Sequence, residues 1–204
     1  MTLFSWQMPF IAKYLLSSVC KMKMVIVGSG AVVRGYDQFS SKESSCRSLL
    51  KGAVLTGFNE FALVDPYFDS HTPLPLLSTI AINVYASLAD VPSTLLETFA
   101  VVATPDELHA KHSIELLNSG VTSLFIEKPL ALNVDQAEAV LQAAHARSVN
   151  VFVNYFRKYL PEVIKIKKKI AENNFGAPLL VTGKYGKGLK HNGSHLLDLV
   201  TFLL

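Results

Sequence analysis

The chain has 204 residues with a formal net charge of +3; half of it is apolar, 17% is charged, and the mean hydropathy is +0.32. That composition excludes a disordered chain, and so small a net charge excludes a nucleic-acid reading on charge alone. The length fits one full domain plus part of another.

Residues 1–21 are mostly apolar but lack the basic start and small-residue cleavage site of a secretory signal. Lys13 interrupts the segment, and it is too short to span a bilayer well, so stable membrane insertion is not expected. It reads as an upstream extension of a domain beginning at Met22 or Met24, with an amphipathic surface helix as the alternative. Cys20 and Cys46 have no metal-ligand spacing and are expected to be free thiols in a reducing, cytoplasmic setting.

From Lys23 onward strand and helix patterns alternate, which predicts an α/β fold with a doubly wound parallel sheet. Lys23–Val27, Phe61–Val64, Phe99–Ala103, Ser123–Ile126 and Asn150–Val153 are short apolar runs of the kind that both faces of a buried strand require, and Ile82–Ala86 is a weaker one. Gln38–Glu60 is serine-rich before Leu49 and Leu50 and reads as a loop with a short helix. Thr104-Pro105-Asp106-Glu107 has the form of an N-cap, a first-turn proline and a capping-box glutamate, with Gly120 ending that helix. A second helix begins near Asn133, with Gln136 three residues on, and turns Ala137, Val140, Leu141 and Ala144 to one side. In the basic run Lys165–Lys169, Val163, Ile166 and Ile170 share a helical face and leave Lys165, Lys168 and Lys169 toward solvent. No aromatic residues are interleaved with these lysines, so a nucleic-acid surface is not expected.

Val25-Ile26-Val27-Gly28-Ser29-Gly30-Ala31-Val32-Val33 reads as a strand entering a glycine turn that opens a helix. Gly28 allows the tight turn, and Gly30 lets a pyrophosphate approach the backbone beside Ala31 and Val32. The third fingerprint position is Val33, which predicts looser or shifted packing of helix on strand. Asp65 ends the next strand, where a carboxylate can accept from both ribose hydroxyls and repel a 2′-phosphate, so NAD is preferred to NADP. Asp65 lies 37 residues after Gly28 instead of the usual separation of about 20. Glu60 and Asp69 are competing acids, and Asp65 also has the form of a simple Asp-Pro turn.

Taken together, Gly28-Ser29-Gly30, Ala103-Thr104-Pro105 with His109, Glu127-Lys128-Pro129, and Gly193-Ser194-His195-Leu196-Leu197-Asp198-Leu199 resemble the Gfo/Idh/MocA family of dinucleotide-dependent oxidoreductases, in order and spacing, over about Lys23 to Leu204. The resemblance implies a Rossmann domain over residues 22–155 and the beginning of a second α+β substrate and oligomerisation domain over 156–204. It places Thr104, Pro105, His109, Glu127 and Lys128 with the glycine turn at the cofactor; His109 and His112 by themselves read as helix-surface or cofactor-edge residues. Lys128 matches the lysine beside the nicotinamide and the substrate hydroxyl, where an ammonium can stabilise an alkoxide and pass on its proton. His195 matches the family's acid-base histidine. His191 stands where the family often has an aspartate, so a His191/His195 pair on adjacent helical turns is expected at the substrate. The same spacing also fits two metal ligands, but the nearest carboxylate is Asp198 and no metal is expected. Asn154, Tyr155 and Arg157 follow the sixth strand, where the family's chain often lines the cleft; Arg157 reads either as a partner for an anionic substrate group or as a structural arginine.

Of the second domain only Leu179–Tyr185 reads as a strand, and the chain runs out in the apolar Leu199–Leu204. Two functions follow. One is hydride transfer between a nicotinamide and a secondary alcohol or ketone of a sugar, cyclitol or sugar nucleotide, by a homo-oligomer if the second domain is complete. The other is a dinucleotide-binding or interaction protein without catalysis, derived from this family by truncation.

Overall fold

A computed structural model of the chain describes residues 22–34, 48–68, 80–93, 98–174, 176 and 180–204. The expectations for residues 1–21, Cys20, Cys46 and Asp69 lie outside these. The chain forms two compact units that meet in sequence between Asn154 and Tyr155.

The first unit is built on six strands: β1 Met22–Val27, β2 Phe58–Val64, β3 Ala81–Tyr85, β4 Phe99–Val102, β5 Ser123–Ile126 and β6 Asn150–Val153. Every neighbouring pair is parallel, in the order β3-β2-β1-β4-β5-β6. The order reverses between β1 and β4, which opens a crevice at the carboxyl ends of those strands.

Strand side chains alternate between the two faces of a sheet, and over the central strands both faces are buried. Val25, Val27, Ala62, Val64, Ala100, Val102, Leu124 and Ile126 point to one side, where Leu116, Leu117, Val140 and Ala144 cover them. Met24, Ile26, Phe61, Leu63, Phe99, Val101 and Phe125 point to the other, covered by Val33, Leu49, Leu50 and Ala53. The covering helices are α1 Ala31–Arg34 and α2 Leu49–Leu55 on one face, α3 His109–Asn118 and α4 Val134–Ala146 on the other. Val33 is 0% exposed, so the third fingerprint position packs fully instead of loosely.

Caps explain where the helices begin. Ser48 accepts from the Lys51 amide at the start of α2, and Asn133 accepts from the Gln136 amide at 2.9 Å while Gln136 Oε1 accepts from Leu132. The start of α3 differs from the expected box. A 3-10 turn, Asp106–Leu108, comes first, Pro105 holds the cap position, and the Leu108 amide bonds back to the Pro105 carbonyl. Gly120, at φ +97°, follows the end of α3 as expected. On α4, Val140 and Ala144 are buried, but Leu141 is 50% exposed because the apolar stripe is narrower than its residue types imply.

The second unit contains a 3-10 turn, Phe156–Tyr159, then α5 Pro161–Ala171, a π-helical turn Leu189–Gly193 and α6 Ser194–Leu203. The lysines of α5 face solvent as predicted, although Ile166 is also exposed, and Lys167 Nζ lies 3.8 Å from the centre of the Phe202 ring. The strand expected at 179–185 is not formed over 180–185: those residues have no regular structure, and Leu180 is 84% exposed. An apolar run alone does not make a strand where no neighbour among the described residues takes its backbone hydrogen bonds. No helix among the described residues is long and apolar enough to cross a membrane.

Candidate functional site

The crevice between β1 and β4 is shaped by backbone contacts. Gly28, at φ +94°, donates to the Val64 carbonyl, and Ala103 donates to Val27, both at 2.8 Å. A Cβ on Gly28 would lie 2.5 Å from the Ala103 carbonyl oxygen, so the turn packs directly on the strand beside it. Gly30 is different. It is exposed, and a Cβ there would meet nothing within 4 Å. The bare backbone at Gly30 fronts open space, the kind of cradle a phosphate-bearing ligand needs.

Asp65 reaches this turn despite its distance in sequence, because β1 and β2 pair Val27 with Val64. Its Oδ2 accepts from the Ser29 amide at 2.9 Å and from the Ser29 hydroxyl, and its Oδ1 accepts from the Tyr67 amide at 2.9 Å. The Asp-Pro turn is also present, closed by a bond from the Phe68 amide to the Asp65 carbonyl. The acid thus serves the local turn and the glycine turn together. Sequence reasoning did not find Ser29 or Tyr67, since neither has a motif-specific residue type.

A cavity of about 680 Å³ opens here, with Gly28, Asp65, Tyr67, Leu88, Thr104, Leu108 and His112 among its walls. A smaller one of about 420 Å³ joins Gly28, Ser29 and Gly30 to Asp65, Tyr67, Thr104 and Pro105. Both lie in the size range of small-molecule clefts. His112 sits at the cavity edge, its Nδ1 3.4 Å from Thr104 Oγ1. Burial holds its imidazole below the ordinary value; Glu115 opposes that, while Lys111 and His109 add to it.

His109 is not a helix-surface residue. It is 1% exposed, with Nε2 2.8 Å from the Thr104 carbonyl oxygen and Nδ1 against the Pro129 carbonyl oxygen. It therefore ties the turn after β4 to the turn after β5. Glu127 and Lys128 occupy that second turn, on the same edge of the sheet as the glycine turn, and the Lys128–Pro129 peptide is cis. Burial raises the Glu127 carboxyl above its ordinary value. The Asn154 side-chain amide donating to Oε1, the Lys128 backbone N–H, and the charges of Lys128 and His109 all oppose that rise. Lys128 is half-buried.

In the second unit His195 is buried, with its ring edge-on to Tyr155 at 5.5 Å and Phe156 at 5.7 Å. His191 belongs to the π-helical turn and is exposed, so the two histidines do not share the regular helical turns expected of them. Asp198 is ion-paired with Lys158 at 2.9 Å. Arg157 is half-buried, its guanidinium 5.8 Å from the centre of the Phe156 ring. Among the described residues no group of three or more His, Cys, Asp or Glu is placed to hold a metal ion.

Comparison with known proteins adds four findings. Residues 22–155 match the GFO_IDH_MocA model, described as an oxidoreductase family with an NAD-binding Rossmann fold. Inositol 2-dehydrogenase of Klebsiella pneumoniae strain 342 is 25% identical over 161 residues, covering 78% of this chain and 44% of that protein. Among solved structures, the WlbA dehydrogenase of Chromobacterium violaceum, in complex with NADH and UDP-GlcNAcA, aligns over 92% of this chain and 56% of its own at 20% identity and TM-score 0.63. A super-repressor mutant of Gal80p from Saccharomyces cerevisiae aligns over 90% and 53% at 18% identity and TM-score 0.65. The chain spans about half the length of these relatives, and the two structural likenesses establish the fold alone.

Proposed function

The chain belongs to the Gfo/Idh/MocA oxidoreductase family, and from that premise we propose that it binds NAD and serves hydride transfer at a secondary alcohol or ketone of a sugar, cyclitol or sugar nucleotide. The observation that carries this reading is the placement of Lys128 at the carboxyl edge of the same sheet that presents the glycine turn and Asp65. The relatives named for inositol and for a sugar nucleotide give the substrate class its support.

When bound, the nicotinamide supplies or accepts the hydride. Gly28 and Gly30 keep the cleft floor free of side chains for the diphosphate. Asp65 lines both cavities, and its charge would disfavour a 2′-phosphate there, so NAD is taken over NADP. Lys128 holds a proton toward the substrate oxygen: in the reductive direction the carbonyl carbon gains the hydride and the oxygen gains the Lys128 proton. Glu127 keeps the Lys128 amide by accepting its hydrogen bond, and Asn154 holds Glu127. His195, wedged against Tyr155 and Phe156, is the proposed second proton carrier, with His191 and Arg157 as substrate contacts.

The test is calorimetric titration of the chain with NADH and NADPH, followed by turnover with polyols and sugar nucleotides. NADH is expected to bind more tightly than NADPH. Lys128→Ala is expected to lose about 100- to 10,000-fold in turnover with little change in NADH affinity. An unchanged rate removes Lys128 from the chemistry. The exposed apolar side chains Leu180, Leu189, Leu197 and Leu204 favour a second reading, an interaction protein that retains cofactor binding. NADH binding without turnover on any substrate of the panel would select it.

A further inference from the structure

The second unit holds an ion pair that the proposed chemistry leaves aside. Lys158 Nζ donates to Asp198 Oδ1 at 2.9 Å, and the two side chains are only 23% and 19% exposed, so water and salt screen the pair less than a surface one. Asp198 lies three residues after His195 on α6, a spacing that puts both on one side of a helix. Lys158 belongs to the Phe156–Tyr159 turn. Phe156 and the preceding Tyr155 set their rings against the His195 ring at interplanar angles of 65° and 84°. Turn and helix are therefore joined twice, by rings at His195 and by opposite charges at Asp198. The same ammonium stands 5.9 Å from the centre of the Tyr155 ring, so it also bears on a ring that meets His195.

Resting on the reading of His195 as a proton carrier, we infer that Lys158 and Asp198 are positioning residues for it: their ion pair sets how α6 lies on the turn, and with that the direction of the His195 ring. Ring-edge contacts hold a plane loosely, whereas a charge-assisted hydrogen bond has a short length and a preferred line. Placed one helical turn beyond His195, the pair stops the helix from sliding or rolling under the imidazole. Proton transfer needs donor and acceptor within hydrogen-bond reach, so a histidine displaced by an ångström loses rate before the unit loses its fold.

The experiment is NMR of the full chain with labelled histidine, and turnover with the polyol and sugar-nucleotide panel, on wild type, Asp198→Asn, Lys158→Met and Lys158→Arg, with His195→Gln to assign the resonance. In the wild type the His195 ring protons are expected away from the free-histidine position, because two aromatic rings flank them. Asp198→Asn and Lys158→Met are expected to move them toward that position and to lower kcat about 10- to 100-fold, with KM and NADH affinity within about twofold. Lys158→Arg keeps the charge and is expected to restore both readouts. Unmoved His195 resonances overturn the inference whether or not the chain turns over a substrate, and a lower melting temperature alongside them makes the pair a structural brace. Moved resonances with unchanged kcat also overturn it where His195→Gln is inactive. A His195→Gln protein as active as the wild type overturns the proton-carrier reading itself.

Discussion

Gly28 and Gly30 belong to one motif but are constrained by different things, and substitution to alanine separates them. At Gly28 a methyl group would stand 2.5 Å from the Ala103 carbonyl oxygen, 2.7 Å from its carbon and 2.9 Å from the Thr104 nitrogen. All three are backbone atoms of the β4 end, so no side chain can swing aside. The φ of +94° adds a left-handed strain of about 1–2 kcal/mol for a non-glycine residue, and overpacking adds about 1–3 kcal/mol. Gly28→Ala should therefore lose about 2–5 kcal/mol in urea unfolding. Gly30→Ala meets nothing within 4 Å and should stay within about 0.5 kcal/mol of the wild type, yet weaken NADH by tenfold or more if the diphosphate lies on that backbone. A Gly28→Ala protein as stable as the parent would refute the packing argument, and unchanged NADH affinity in Gly30→Ala would refute the ligand argument.

His109→Leu should cost about 2–5 kcal/mol, since the Thr104 and Pro129 carbonyls would both lose a buried partner; urea unfolding checks this, and a neutral result would show that water replaces the imidazole. Glu127 makes a pH prediction. Its carboxyl is raised by burial, so the stability it contributes is complete below the unfolded value and is lost as pH rises through the folded one. Unfolding free energies measured from about pH 4 to about pH 8 should drift in favour of Glu127→Gln over the wild type as pH increases, and a drift of opposite sign would mean the hydrogen bonds outweigh burial.

β1, β2, β4 and β5 could be read from the sequence because a strand buried on both faces carries a continuous apolar run, whereas β3, exposed or half-buried along its length and interrupted by Asn83, gave only a weak one. The residues 180–185 defeat the same logic: Leu180, Val181 and Tyr185 have strand-like residue types, but sheet formation depends on a neighbour that no local pattern reports. His109 shows the limit for sites. Its place in the motif was visible, but whether its ring turned to the cofactor or inward depended on carbonyls at Thr104 and Pro129, which residue types do not encode. Ser29 stood in the glycine motif, but its bond to Asp65 was not legible because only the β1–β2 register brings the two together, whereas Tyr67 reaches Asp65 through the local turn.

That register also makes the cleft indifferent to chain length. Gly28 and Asp65 meet because Val27 pairs with Val64, whatever lies between. Lengthening the intervening chain from about 20 residues to 37 raises the entropy of closing it by only about 0.5 kcal/mol. The meeting of Gly28 with Asp65 is therefore set by strand pairing and only weakly by how many residues separate them.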